Sequence, residues 1–192
     1  MQTHSHFKIY KPYGYLSQFI SNQNTRKNKN LLGQLFNFPE GTMSIGRLDE
    51  DSEGLLFLTT DGKMSEEVRS INVEKEYYVQ VDGIIDHEAV EKLQQGVLIG
   101  INGEQYKTLP CKAKKVQTVP NFPERSKKIR DDRHGPTSWA SITVTEGKFR
   151  QIKKMTAAVG FPTLRLVRVR IGNETVYEMT SGEIQLVANF DL

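Results

Sequence analysis

The 192-residue chain has one cysteine, Cys111, and one tryptophan, Trp139. A lone cysteine closes no internal disulfide and builds no thiolate-rich zinc site, so the expected setting is a reducing cytoplasm. No apolar run approaches the ~18 residues that a membrane-spanning helix needs. The opening "MQTHSHFKIY" lacks a charged segment followed by an apolar core, so no secretory leader is expected there. No repeat recurs at a fixed period. Histidine is scarce, with four in all. His4 and His6 are expected on a frayed terminus, His87 in the first turn of a helix and His134 in a loop. None pairs with an evident nucleophile, so a Ser-His or Cys-His triad has no nominated base.

Hydrophobic residues make up 37% of the chain, enough for one domain or at most two small lobes. The formal net charge is only +3, but it is distributed unevenly. The stretch 112–133 holds eight basic and three acidic side chains, and 147–170 holds seven basic and no acidic ones. The rest of the chain is therefore net acidic. Such polarity suits one face built for a polyanion. The competing reading is that these residues solvate exposed strands.

Patterning predicts a mixture of strands and isolated helices. "FKIY" (7–10) reads as a strand, followed by a turn at Pro12 and Gly14. The polar stretch 21–30 reads as a mobile basic loop, and "LLGQLF" (31–36) as a short helix. Asp61 and Asp86 are placed to cap helices, the second ending at Gly96. "KEYYVQVDG" and "TSWASITVTEG" read as strands, and 120–136 as a long basic loop bounded by prolines. Helical spacing links Phe149, Ile152, Met155 and Val159. "TLRLVRVRIG" alternates, which predicts apolar residues largely opposite the arginines. The fold class expected from these elements is α+β with a mixed, mostly antiparallel sheet and flanking helices.

The densest chemistry lies in "GRLDEDSEGLLFLTTDG" (46–62), where Asp49, Glu50, Asp51 and Glu53 precede an apolar run. A calcium loop would match Asp49, Asp51, Glu53 and Gly54 but needs a bidentate Glu where Thr60 stands. A two-carboxylate glycosidase needs its acids facing each other across a bond, which one run of residues does not supply. A single working carboxylate or a solvated loop remains. If 47–49 is extended, Arg47 and Asp49 leave from one face, and the nearby cation favours an ionised Asp49 available as a nucleophile. Glu50 then points away and is structural or solvated.

The same stretch resembles the signature of the pseudouridine synthases that modify ribosomal RNA. Three further motifs fall in that family's order: "KPYG" near the start, "KEYYV" in the middle and "EGKFRQIKKM" late. The resemblance covers nearly the whole chain. The details "DSEGLL", "PTSW" and "TAAVGFPTLRL" look most like the branch acting on the large subunit. Some members carry a small RNA-binding domain ahead of the catalytic one. Here "KPYG" begins at Lys11, and a single catalytic domain over 1–192 is expected, with two lobes around a basic cleft.

Carried over by motif, Asp49 matches the catalytic aspartate and nucleophile, and Arg47 the arginine that holds the flipped nucleotide. Tyr77 matches the tyrosine that stacks on the base, with Lys75 supporting its strand. Ile152 matches the aliphatic residue beneath the base, and Lys153 the basic partner of the aspartate. Many members have arginine there; lysine gives a point charge rather than a bidentate fork. Lys11, Arg150, Lys154, Arg165 and Arg168 are further substrate-binding candidates, the arginines and Lys154 as phosphate contacts, a role that Arg170 shares. The bland readings are a turn-capping Asp49, cross-strand packing for Tyr77 and its neighbour Tyr78, plain core for Ile152 and a solvated Lys153. The resemblance implies isomerisation of a uridine in ribosomal RNA, in particular the 23S RNA of the large subunit, with no cofactor and no metal. Ribosomal RNA is the implied partner, a membrane is not, and a monomer is expected. The competing class is a non-catalytic RNA-binding or ribosome-assembly module on the same scaffold. The loops at 22–30 and 112–133 are candidates for choosing the uridine.

Overall fold

The computed structural model describes residues 4–20, 29–69 and 73–192. Of the loop expected at 21–30, residues 21–28 lie outside the described residues. The elements in chain order are β1 (His6–Lys11), β2 (Tyr15–Leu16), β3 (Asn30–Leu31), a 3₁₀ turn (Leu32–Gln34), β4 (Met43–Ile45), β5 (Glu53–Thr59), α1 (Gly62–Val68), β6 (Lys75–Asp82), α2 (His87–Gln95), β7 (Leu98–Ile101), β8 (Glu104–Lys107), β9 (Lys112–Val116), a 3₁₀ turn (Asp132–His134), β10 (Thr137–Val144), α3 (Gln151–Ala158), β11 (Thr163–Ile171), β12 (Glu174–Thr175) and β13 (Ile184–Val187). The fold is mixed α+β, as the patterning predicts. Among the described residues no helix is long and apolar enough to cross a membrane.

Two compact units form, one from 1–73, 123–127 and 168–192, the other from 74–122 and 128–167. In the first, strands run in the order β13-β1-β5, followed by the last residues of β11. β1 is antiparallel to β5, with Lys11 opposite Gly54, and β4 also lies antiparallel along β5. β5 is therefore central, and all seven of its residues are buried. This explains why "LLFL" is continuously apolar rather than alternating: both faces of the strand are covered. Gly54 is required by contact. Its φ is +102°, and a Cβ there would sit 2.3 Å from the Arg168 carbonyl oxygen. His6 corrects the frayed-terminus expectation. It is buried in β1, with Nδ1 2.8 Å from the Thr59 hydroxyl and its ring edge-on to Phe190.

In the second unit the order is β11-β6-β10-β9, with β6 antiparallel to β10 and β10 antiparallel to β9. The hairpin β7–β8 stands apart. The core joins Val79 and Val81 of β6, Ile85, α2 (Ala89, Val90, Leu93), Ile99, Ala113, β10 (Ala140, Ile142, Val144), α3 (Ile152, Met155) and Leu166. Both predicted caps are present: Asp61 accepts from the Lys63 amide and Asp86 from the Ala89 amide. The "LLGQLF" helix shrinks to one 3₁₀ turn.

Two expectations are overturned. Phe149 lies before α3 and is 66% exposed, because Arg150 takes a left-handed conformation (φ +52°) that breaks the helical register. The β11 arginines are not on an open face: Arg165 and Arg168 are buried, since residues 165–169 are covered on both sides of the strand.

Candidate active site

In the first unit the "GRLD" loop, 46–49, is irregular chain between β4 and β5. Arg47 is exposed, Leu48 buried and Asp49 half-buried. Ser17 holds Leu48 through both its backbone groups: the Ser17 hydroxyl donates to the Leu48 carbonyl at 2.8 Å and accepts from the Leu48 amide at 2.9 Å. The Ser52 amide closes a turn onto the Asp49 carbonyl at 3.0 Å. The "KPYG" turn fastens the next residue, with the Gly14 amide donating to the Glu50 carbonyl at 2.8 Å. The backbone on both sides of Asp49 is therefore fixed by hydrogen bonds from elements distant in sequence.

Lys11 is a correction. Expected to contact substrate, it is fully buried. Its Nζ donates to the carbonyls of Pro12 at 2.9 Å and Tyr15 at 2.7 Å, and reaches that of Glu50 at 3.5 Å. Three acceptors match the three N–H donors of an ammonium. Burial pushes its pKa down from 10.5 to about 7, against the opposing pull of Glu53, Asp51, Asp49 and Glu50. Part of the acidic cluster is thus balanced from within by Lys11. Glu50 is balanced from outside by an ion pair with Lys29, which agrees with its expected structural role. Glu53 is itself buried. Arg168, also expected to contact phosphate, turns inward: its Nε donates to the Leu55 carbonyl at 2.7 Å. Both groups serve the loop and strand of their own unit because buried cations need internal acceptors. Arg170 is half-buried and its Nη1 donates to the Gly172 carbonyl at 2.7 Å.

In the second unit Tyr77 is half-buried on β6, opposite Ile142, and packs against the core cluster that contains Ile152 of α3. These two predicted residues thus belong to one packed core. Lys75 directs Nζ toward the Thr145 carbonyl at 3.5 Å. Lys153 is half-buried on the first turn of α3. Lys154 donates to the Gly100 carbonyl at 2.7 Å with its ammonium 5.1 Å from the centre of the Phe149 ring. Arg150 is exposed, and Arg165 lies 5.7 Å from the Phe122 ring centre. Tyr78 is a packing residue, edge-on to Phe122 at 5.9 Å.

The entry to α3 has an organiser that sequence reading missed. Glu146 is buried and accepts from the Tyr106 hydroxyl at 2.6 Å, the Leu109 amide at 3.0 Å and Gln151 Nε2 at 2.5 Å. Gln151 in turn accepts from the Lys148 amide at 3.0 Å. The hydrogen bond to Glu146 raises the Tyr106 pKa. The only signal was an acid beside Gly147 at a strand end; its partners are 40, 37 and 5 residues away. Ser17, 31 residues from Leu48, left no local signal. Among the described residues no group of three or more His, Cys, Asp or Glu side chains is arranged to hold a metal. The four-carboxylate run, with Thr60 where a calcium loop needs a glutamate, fits no such site.

The family model described as RNA pseudouridylate synthase matches residues 5–158, most of the chain. The chain belongs to this family. Among curated relatives of the synthase are two named ribosomal large subunit pseudouridine synthase E. The one from Xanthomonas campestris pv. campestris is 38% identical over 175 residues, covering 90% of each chain. The one from Vibrio parahaemolyticus is 38% identical over 181 residues, covering 92% of this chain and 72% of the relative. A solved structure titled as a crystal structure of pseudouridylate synthase superposes with a TM-score of 0.75 at 26% identity, over 97% of this chain and 71% of that one.

Proposed function

We propose that this synthase converts a uridine of large-subunit ribosomal RNA to pseudouridine, in the cytoplasm and as a monomer. The observation that carries the reading is near-end-to-end similarity, at 38% identity over 90% of both chains, to a relative named for that subunit's RNA.

The reaction breaks the bond from ribose C1′ to N1 and makes one from C1′ to C5. The C5 proton leaves to water and N1 gains a proton, so the change is redox-neutral and balances without a cofactor. Unstacking the uridine costs a few kcal/mol. Stacking on an aromatic ring returns about 1–3 kcal/mol, the role proposed for Tyr77, with Ile152 as the apolar floor. Arg47, exposed beside Asp49, is suited to holding the flipped nucleotide. Asp49 is the working carboxylate. Its backbone is tethered on both sides, so little of its orientation is left to be fixed at the moment of reaction. Lys153 is the cation the motif assigns to that aspartate. Exposed basic side chains such as Arg150 contact flanking phosphates and make binding salt-dependent.

The test is release of tritium from ribosomal RNA labelled at uridine C5. The wild-type chain releases it without added cofactor, and Asp49→Asn binds the RNA yet releases none. Release at full rate by Asp49→Asn, or none by the wild type on naked RNA and on immature large-subunit particles alike, overturns the proposal.

A further inference from the structure

One cavity is lined by residues of the first unit. It has a volume of about 510 Å³, and its walls include Tyr13, Tyr15, Glu53, Glu124, Arg125 and Ser126. Five segments distant in sequence build it: residues 12–15, Asn30, Glu53 at the start of β5, residues 124–126 of the long basic loop, and Ser181. Arg125 is held in place. Its guanidinium lies 4.5 Å from the centre of the Tyr13 ring, and its Nε donates to the Lys127 carbonyl at 2.7 Å. An arginine backed by a ring and tethered at one nitrogen presents a fixed plane rather than a mobile charge. Guanidinium planes and aromatic rings are the surfaces on which unpaired bases stack. The same walls carry two carboxylates, the buried Glu53 and the exposed Glu124. A carboxylate accepts hydrogen bonds and, ionised, donates none, so it selects a base edge that offers N–H groups.

We infer that this cavity binds an unpaired base bearing an exocyclic amino group, from the RNA strand that flanks the target uridine. The base stacks on the Arg125 plane and offers its amino group to the Glu124 carboxylate. This rests on the reading of the chain as an RNA-modifying enzyme, and it adds a second point of recognition beyond the target base. Specificity then depends in part on residues 124–126 of the 120–136 loop, through a base contact as well as through charge. Lys127 follows at once and supplies a cation for the adjoining phosphate.

The experiment is fluorescence anisotropy with a labelled adenosine 12-mer. That probe contains no uridine, so its outcome is separate from the tritium assay. Arg125→Lys keeps the charge and loses the plane. It is expected to weaken binding about tenfold, in the range for loss of one stacked base, with an unchanged slope of affinity against salt. Tyr13→Ala is expected to weaken binding similarly, and the double variant no further, since both act on one plane. A 12-mer of purine riboside, which lacks the amino group, should bind the wild type about fivefold more weakly than the adenosine 12-mer, and Glu124→Gln should narrow that gap. Wild-type affinity in Arg125→Lys overturns the inference, leaving Arg125 a point charge on the backbone. Equal binding of the two 12-mers by the wild type overturns it as well.

Discussion

Replacing Lys11 with methionine tests the most unusual electrostatic feature of the chain. Lys11 is fully buried, and its pKa falls from 10.5 to about 7 chiefly through desolvation. The folded state therefore binds fewer protons than the unfolded state between about pH 7 and 10.5, so stability rises with pH across that window. Below about pH 7 the lysine is charged in both states, and its burial costs the full penalty. A shift of this size corresponds to roughly 5 kcal/mol at its limit, and the slope is about 1.4 kcal/mol per pH unit once pH exceeds the folded value. Between pH 7 and 9 the wild type should gain about 2 kcal/mol relative to Lys11→Met. Urea denaturation of both proteins at pH 6, 7, 8 and 9 measures this difference directly. Cys111, whose pKa burial raises to about 11, acts with the opposite sign above pH 9 but is common to both proteins and cancels. Methionine also withdraws the ammonium from the Pro12, Tyr15 and Glu50 carbonyls, so turnover should fall. A wild-type-minus-variant difference that stays flat from pH 6 to 9 refutes a buried lysine with a depressed pKa.

Ser17→Ala removes both hydrogen bonds to Leu48. It should cost about 1–3 kcal/mol in urea unfolding and lower kcat more than KM, because the loop before Asp49 loses its clamp. Glu146→Ala leaves the Tyr106 hydroxyl, the Leu109 amide and Gln151 without their acceptor. A loss of about 3 kcal/mol is expected, with faster amide exchange in the first turn of α3; unchanged exchange there would argue against the organising role. Gly54→Ala drives a methyl into the Arg168 carbonyl at a positive φ, and should destabilise the fold by about 3 kcal/mol or prevent soluble expression.

Local chemistry was legible in the sequence. The caps Asp61 and Asp86, strands β6 and β10, helix α2 and the α+β class follow from patterns a few residues long, because capping and side-chain periodicity act at that range. The family motifs nominated Asp49, Tyr77, Ile152 and Lys153 for the same reason: each motif is a short continuous run. Burial was not legible. Lys11, His6, Arg165 and Arg168 read as surface groups on composition, yet all four are buried, the first two at the ends of β1 and the others on β11. Periodicity alone failed at Phe149, where one left-handed residue separates the side chain from the helix.

The sequence by itself determined which local elements form and which short motifs carry chemistry, since those depend on neighbours along the chain. Only the tertiary structure decided which charges turn inward, that Ser17 and Gly14 fasten the loop around Asp49, and that Glu146 gathers three donors at the entry to α3. Those outcomes depend on partners tens of residues away and on the desolvation that strand pairing imposes, and neither quantity is written in any local stretch of residues.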